Sequence, residues 1–70
     1  MTLEQAKNLK HGDIVEHMTN KNADGTPQRW GVSGTVKIWK RNPQRIRIPV
    51  KHGMYSYGYI TEEILHLFRR

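Results

Sequence analysis

Basic and aromatic side chains gather in the middle of the chain, and their chemistry suits contact with a polyanion. No carboxylate occurs between Asp24 and Glu62. Lysine and arginine hold phosphates by charge, and an aromatic ring offers a face on which a base can stack. We therefore predict a surface that binds DNA or RNA with little sequence selectivity. Its predicted members are Lys37, Trp39, Lys40, Arg41, Arg45, Arg47 and Lys51, with Trp30 and Tyr55 as further stacking residues.

The same residues also have a structural interpretation. A row formed by Arg45, Arg47 and Lys51 would protect an edge strand from aggregation. Aromatic rings bury large areas, so a thin core gains from each one. On this interpretation, at least one tryptophan belongs mainly to the core, and Tyr57 and Tyr59 are packed. The alternative function is a protein-interaction module, such as an accessory subunit of a larger, phage-related complex.

The sequence offers no recognisable arrangement for catalysis or metal binding. It has no cysteine, and its four histidines are scattered without carboxylates at ligand spacing. Residues 20–25 resemble the start of a calcium loop, but Gly31 occupies the position where that loop needs glutamate. The adjacent Glu62 and Glu63 suit the start of a helical turn. We predict a non-enzymatic protein without cofactor, metal or small-molecule substrate.

Length and charge define the class of protein. The 70 residues fit one domain with a thin core. Twelve lysines and arginines against six acids give a formal charge of +6, and the resulting positive field attracts polyanions. No apolar run approaches the roughly 18 residues of a membrane span, and no signal-peptide pattern is present. The lack of cysteine favours a reducing, cytoplasmic location.

Short elements must position these side chains. Thr2 and Gln5 have the spacing of a capping box, which predicts a short helix within residues 1–11. A strand is predicted from Asp13, followed by a polar loop over residues 19–27. The apolar positions of that strand are Ile14, Val15 and Met18.

Residues 28–39 are predicted to form a hairpin around Ser33-Gly34. Side chains alternate across a strand, so this register places Trp30, Lys37 and Trp39 on one face. Val32 lies with them in this register, and the opposite face carries the remaining apolar positions. Those positions are Val36 and Ile38.

Two further strands complete the predicted sheet. In the first, residues 45–50, isoleucine and valine alternate with arginine, and Pro49 indicates an edge or an end. The second covers residues 54–60 and carries three tyrosines on one face. Thr61 is predicted to cap a helical turn, which leads to a short last strand and a basic tail at residues 69–70. About five short strands favour a small barrel over residues 12–68, since closure protects strand edges.

Three segments resemble the SH3-like barrel, the group that includes KOW and Tudor-type domains. They are residues 9–15 (LKHGDIV), 34–36 (GTV) and 58–65 (GYITEEIL). Many SH3-like domains open with a Gly-Asp-hydrophobic-Val strand and close with a helical turn before the last strand. The resemblance implies a mainly β fold: a small barrel of about five strands, with a short N-terminal helix added here.

Two other resemblances are weaker in what they imply. The whole chain resembles small uncharacterised proteins of bacterial and phage genomes, through residues 22–30 and 49–53, and this implies no mechanism. Residues 34–39 and 51–60 resemble parts of the cold-shock domain. In that domain the first of these segments opens the fold, whereas here a strand precedes it.

Overall fold

The N-terminal helix is fixed by a capping box, as the sequence predicts. In the computed structural model, which describes residues 1–70, helix α1 spans Leu3–Lys7. The Thr2 hydroxyl accepts a hydrogen bond from Gln5 N at 3.1 Å, and the Gln5 side chain accepts one from Thr2 N at 2.9 Å. Ala6 is fully buried and joins the helix to the core.

Antiparallel strands and a 3₁₀ helix follow α1, so the protein is mainly β. The elements are β1 (Ile14–Lys21), β2 (Pro27–Val32), β3 (Lys37–Ile38), β4 (Ile46–His52), β5 (Ser56–Thr61), the 3₁₀ helix (Glu62–Leu67) and β6 (Phe68–Arg69). Strands β2 and β3 both pair with one edge of β4, β5 pairs with its other edge, and β2 continues the sheet through β1 to β6. The sheet is not closed, because no pairing joins β5 to β6. No helix has the length and apolar character needed to cross a bilayer.

The predicted hairpin over residues 28–39 is wrong, because β2 and β3 do not pair with each other. Both pair with the same edge of β4. Val32 of β2 lies opposite Val50, and Lys37 of β3 lies opposite Arg47. The polar loop is also shorter than predicted, since β1 continues to residue 21 and the turn covers only residues 22–26.

Pro49 lies where β4 changes partner from β3 to β2. Its carbonyl oxygen accepts a hydrogen bond from Ser33 N at 2.9 Å. In a strand, the nitrogen and oxygen of one residue face the same edge, so the missing N–H of Pro49 falls in the gap between β2 and β3. Strand β4 therefore continues through Pro49. Gly34 lies close to the proline ring. A Cβ atom at position 34 would be only 3.2 Å from Pro49 Cγ, so the absence of a side chain allows this approach.

One apolar cluster fills the space between the sheet, α1 and the 3₁₀ helix. Strand β4 contributes through strict alternation, as predicted: Ile46, Ile48 and Val50 are buried, whereas Arg47 and Lys51 are exposed. The full cluster is Ala6, Leu9, Val15, Val32, Ile46, Ile48, Val50, Ile60, Leu65 and Phe68.

Strand β1 buries a histidine where apolar residues were predicted. Ile14 and Met18 are exposed, and of the predicted apolar positions only Val15 is buried. His17 takes the next inward position, and its Nδ1 accepts hydrogen bonds from Asn20 N at 2.9 Å and Thr19 N at 3.2 Å. These two backbone N–H donors satisfy the Nδ1 atom of the buried ring.

The 3₁₀ helix and the short strand β6 follow β5 in the predicted order. Thr61 occupies the N-cap position, as predicted, but its side chain forms no capping hydrogen bond. Glu62 Oε1 instead accepts a hydrogen bond from Ile46 N at 3.2 Å. This bond ties the 3₁₀ helix to the start of β4, while Leu65 and Phe68 anchor it in the core.

Replacing Ile48 with alanine should test the central position of β4. Ile48 is 0% exposed, so Ile48→Ala leaves a cavity and should lower the free energy of unfolding by about 2–5 kcal/mol. Ile38 is 41% exposed, and Ile38→Ala should cost less than about 1 kcal/mol. Denaturant unfolding of both variants measures the difference. Equal losses would contradict the assignment of β4 to the core.

Candidate functional site

The pairing of β3 with β4 gathers several of the predicted site residues on the outer face of the sheet. Lys37 lies opposite Arg47 in the register. Trp39 N donates to Arg45 O at 3.2 Å, which continues the same ladder beyond β3. Cross-strand partners project to the same face, and the intervening Ile46 is buried on the other face. Two cross-strand pairs therefore lie side by side.

Three cations surround the Trp39 ring in this arrangement. Lys37 Nζ and Arg45 Cζ each lie 4.8 Å from the ring centroid, and Arg47 Cζ lies 5.9 Å from it. Arg47 Cζ is also 4.7 Å from the Tyr59 centroid. Each such contact contributes about 0.5–1 kcal/mol at an exposed site. The rings thus position the charges without neutralising them. We call these five residues the Trp39 cluster.

The cations of the Trp39 cluster have no carboxylate partner. Every salt bridge of the protein lies elsewhere, on β1, β2 and the C-terminal residues. The positive charges around Trp39 are therefore available to an external anion. The salt bridges join Glu16 to Arg29 and to Arg69, and Asp13 to Arg70.

A groove of about 710 Å³ opens beside the Trp39 cluster. Asn42 and Gln44, from the loop between β3 and β4, line one part of it. Glu62 and Glu63 line the part near the 3₁₀ helix. The groove is therefore lined by both cations and acids, and the acids on the side of the 3₁₀ helix limit how far a polyanion can extend there.

The remaining predicted cations lie outside the Trp39 cluster. Lys40 and Arg41 are exposed in the loop between β3 and β4, and neither forms a salt bridge. Lys51 lies on the outer face of β4, but near its other end, where its register partner on β5 is Tyr57. The structure therefore distributes the predicted positive charge along one face and the adjoining loop.

Trp30 lies on the inner face of the sheet, so the predicted face shared with Trp39 is wrong. Its register partner is the fully buried Val15. The ring packs against the core, with its centroid 5.1 Å from that of His52, and Nε1 donates to Gln28 Oε1 at 3.1 Å. Trp30 therefore cannot act together with the Trp39 cluster.

Two tyrosines of β5, Tyr57 and Tyr59, are more exposed than predicted. Tyr55, Tyr57 and Tyr59 are 88%, 70% and 59% exposed, so the expectation that Tyr57 and Tyr59 pack is wrong. Ile60 pairs with Ile48, which puts Ile60 inward and the tyrosine positions on the cationic face. The signal was present in the sequence, because Ile60 is the one large apolar residue on the opposite face of β5.

The two arginines of the predicted basic tail form salt bridges with Glu16 of β1 and with Asp13, the residue before β1. Arg69 belongs to β6, and its guanidinium hydrogen-bonds the Glu16 carboxylate, with Nε at 2.9 Å from Oε1. Arg29 Nε bonds the other carboxylate oxygen at 3.3 Å. The hydrogen bond from Arg69, assisted by Arg29, holds the pKa of Glu16 below its usual value despite partial desolvation.

Comparison with known proteins yields no match. No protein-family model, curated protein or solved structure is significantly similar to the chain. No group of three or more histidine, aspartate or glutamate side chains is placed to hold a metal ion. The functional interpretation therefore depends on the geometry and charge of the Trp39 cluster and its surroundings.

Replacing Glu16 should change the acid stability of the protein. Because the folded-state pKa of Glu16 is lowered, its stabilisation is present above the unfolded-state pKa and is lost as pH falls through the folded-state value. Glu16→Gln should therefore lower the free energy of unfolding at neutral pH and reduce its decline in acid. Denaturant unfolding across pH measures this. Glu63→Gln, at an exposed carboxylate without a salt bridge, is the control, and identical pH profiles for both variants would contradict the prediction.

Quenching of tryptophan fluorescence should reveal the charge around Trp39. In Trp30→Phe, Trp39 is the remaining tryptophan, and the surrounding cations should concentrate anions near it. We expect iodide to quench it more than caesium does at equal ionic strength, by a factor of about two or more. In Trp39→Phe, Trp30 lies beside His52 on the inner face and should show a smaller difference. Equal ratios in both variants would be inconsistent with an electropositive Trp39 cluster.

Proposed function

We propose that this protein is a non-enzymatic nucleic-acid-binding domain that uses the outer face of β3, β4 and β5. One observation carries the proposal: Lys37, Arg45 and Arg47 surround Trp39, and none of them is paired with an acid. Phosphates are the abundant anions that such a group of cations suits. The half-exposed Trp39 ring lies among them and supplies a surface for a base.

The charge of the Trp39 cluster favours an external anion for an electrostatic reason. Three like charges near one ring repel one another, and the cation–π contacts offset only part of that repulsion. A bound phosphate would reduce the repulsion and release counterions from the nucleic acid. Lys40, Arg41 and Lys51 would add contacts along the chain of phosphates.

Low sequence selectivity follows from the kind of contacts proposed. Phosphate contacts position a nucleic acid but carry no base information. Stacking on an aromatic ring accepts every base, because every base has a π face. The Trp39 cluster consists of cations and rings alone, so selectivity would have to come from neighbouring groups such as Asn42 and Gln44 in the groove.

We also propose that the fold is an SH3-like barrel whose sheet remains open. Successive antiparallel pairing of β1 with β2, β2 with β4, and β4 with β5 supports this proposal. So does the return of the chain through a 3₁₀ helix to β6, which pairs with β1. Strand β3 is then a short addition to the edge of β4.

Binding to labelled oligonucleotides at several salt concentrations tests the proposed function. We expect affinity to fall steeply with salt, and the slope of log K against log salt to shrink by about one for each phosphate-contacting cation removed. Arg45→Gln and Arg47→Gln should each show this change. Lys10→Gln, an exposed lysine in the segment between α1 and β1, is the charge-matched control and should affect the slope less.

Two results would overturn the nucleic-acid proposal. One is the absence of binding to any oligonucleotide at low salt. The other is an equal effect of Lys10→Gln and the two arginine variants, which would indicate non-specific attraction to net charge. A protein complex that survives nuclease treatment and persists in Arg45→Gln and Arg47→Gln would support a protein-interaction module instead.

A further inference from the structure

We infer that the nucleic acid is single-stranded and that its bases stack on Tyr55, Tyr57 and Tyr59. This inference depends on the proposed function and specifies its class of ligand. The three side chains, which we call the tyrosine row, are among the most exposed large residues of the protein. Exposed aromatic surface on a small domain often marks a binding site.

The tyrosine row continues the Trp39 cluster along the same face of the sheet. Tyr59 belongs to both, with its ring centroid 4.7 Å from Arg47 Cζ. Tyr57 is the register partner of Lys51, so a second cation lies beside the second ring. Tyr55 follows at the turn between β4 and β5, where it is 88% exposed. Rings and cations therefore alternate along one strip.

The spacing of Tyr57 and Tyr59, the two members of the tyrosine row that lie in β5, suits an extended strand and not a duplex. As alternate residues of a β-strand they are about 6.8 Å apart, at roughly 3.4 Å per residue. Consecutive bases along one strand of B-DNA are separated by only about 3.4 Å along the axis, and they remain stacked on one another. Successive rings can therefore receive successive bases only if those bases are splayed apart. Single strands allow this, and their bases commonly stack on aromatic side chains.

The acids of the 3₁₀ helix set the direction of the strip. Glu62 and Glu63 line the same groove as Arg45 and Arg47 and would repel phosphates from the side of the 3₁₀ helix. Residues 25–61 contain no carboxylate, so no acid side chain from that segment opposes a strand running from Trp39 toward the turn between β4 and β5. The ligand should therefore lie along β5 and end near Tyr55.

Anisotropy titrations with a labelled oligothymidine and with a duplex of matched charge test this inference. We expect the wild-type protein to bind the single strand about ten times more tightly or better. The variant Tyr57→Thr should lose about fivefold or more in single-strand affinity, with the duplex affinity and the salt slope unchanged, because Tyr57 lies outside the Trp39 cluster. Threonine suits an exposed strand position, so the fold should persist, as thermal unfolding can verify.

Two matched variants separate stacking from other effects. Tyr57→Phe keeps the ring and should bind within about twofold of the wild type. Met18→Thr removes an exposed apolar side chain from β1, away from the tyrosine row, and should leave binding unchanged. A loss in the phenylalanine variant as large as in the threonine variant would overturn stacking.

The outcomes distinguish this inference from the proposed function. Equal affinity for single strand and duplex, or tyrosine variants that weaken both equally, would overturn the single-strand inference. The nucleic-acid proposal would still stand if Arg45→Gln and Arg47→Gln reduced the salt slope. If neither oligonucleotide binds at low salt, the proposed function fails, and the inference that depends on it fails as well.

Discussion

The alternation of side chains along β4 is the constraint on which both the core and the charged face depend. Ile46, Ile48 and Val50 fill the interior, and Arg47 and Lys51 lie between and beside them on the outside. A slip of one residue in register would expose the isoleucines and bury the arginine, at a large cost in free energy. The position of the cations is therefore fixed by hydrophobic packing.

Arginines occur in two different settings in this protein. Arg29 and Arg69 share the carboxylate of Glu16 and join β1, β2 and β6 at the surface. Arg45 and Arg47 contact rings instead and keep their charge unneutralised. The net charge of the chain does not distinguish these settings. The distribution of acids distinguishes them, because no carboxylate forms a salt bridge with Arg45 or Arg47.

Features that depend on neighbouring residues could be predicted from the sequence. The capping box of Thr2 and Gln5 and the alternation of β4 are local patterns, and the structure has both. The hairpin over residues 28–39 failed because the choice of partner is non-local: both arms find a better-packed neighbour in β4. The short connection around Ser33-Gly34 predicted a reversal of the chain. It instead leads from the part of β4 that pairs with β2 to the part that pairs with β3.

The candidate site was predictable in its cations and less so in its rings. Arg45, Arg47 and Lys51 follow directly from alternation on a half-buried strand. The placement of Trp30 depends on the register of β2 with β1, which no local pattern fixes, so its predicted face is wrong. Tyr57 and Tyr59 alternate with the buried Ile60, so the local pattern already indicated their outer face, and the expectation that they pack is wrong.

The gap at Pro49 gives this small domain a place where its surface can diverge. Proline offers no N–H at that point, so residues 33–36 cross β4 with a single backbone hydrogen bond, from Ser33. The sheet therefore constrains the length of the connection over residues 33–36 only weakly. Strand β3, which follows directly, carries Lys37 and is followed by Trp39. Insertions or deletions in this connection would move Lys37 and Trp39 together, whereas only Val36 of the connection packs against the core. The charged face can thus change over evolution with little effect on folding.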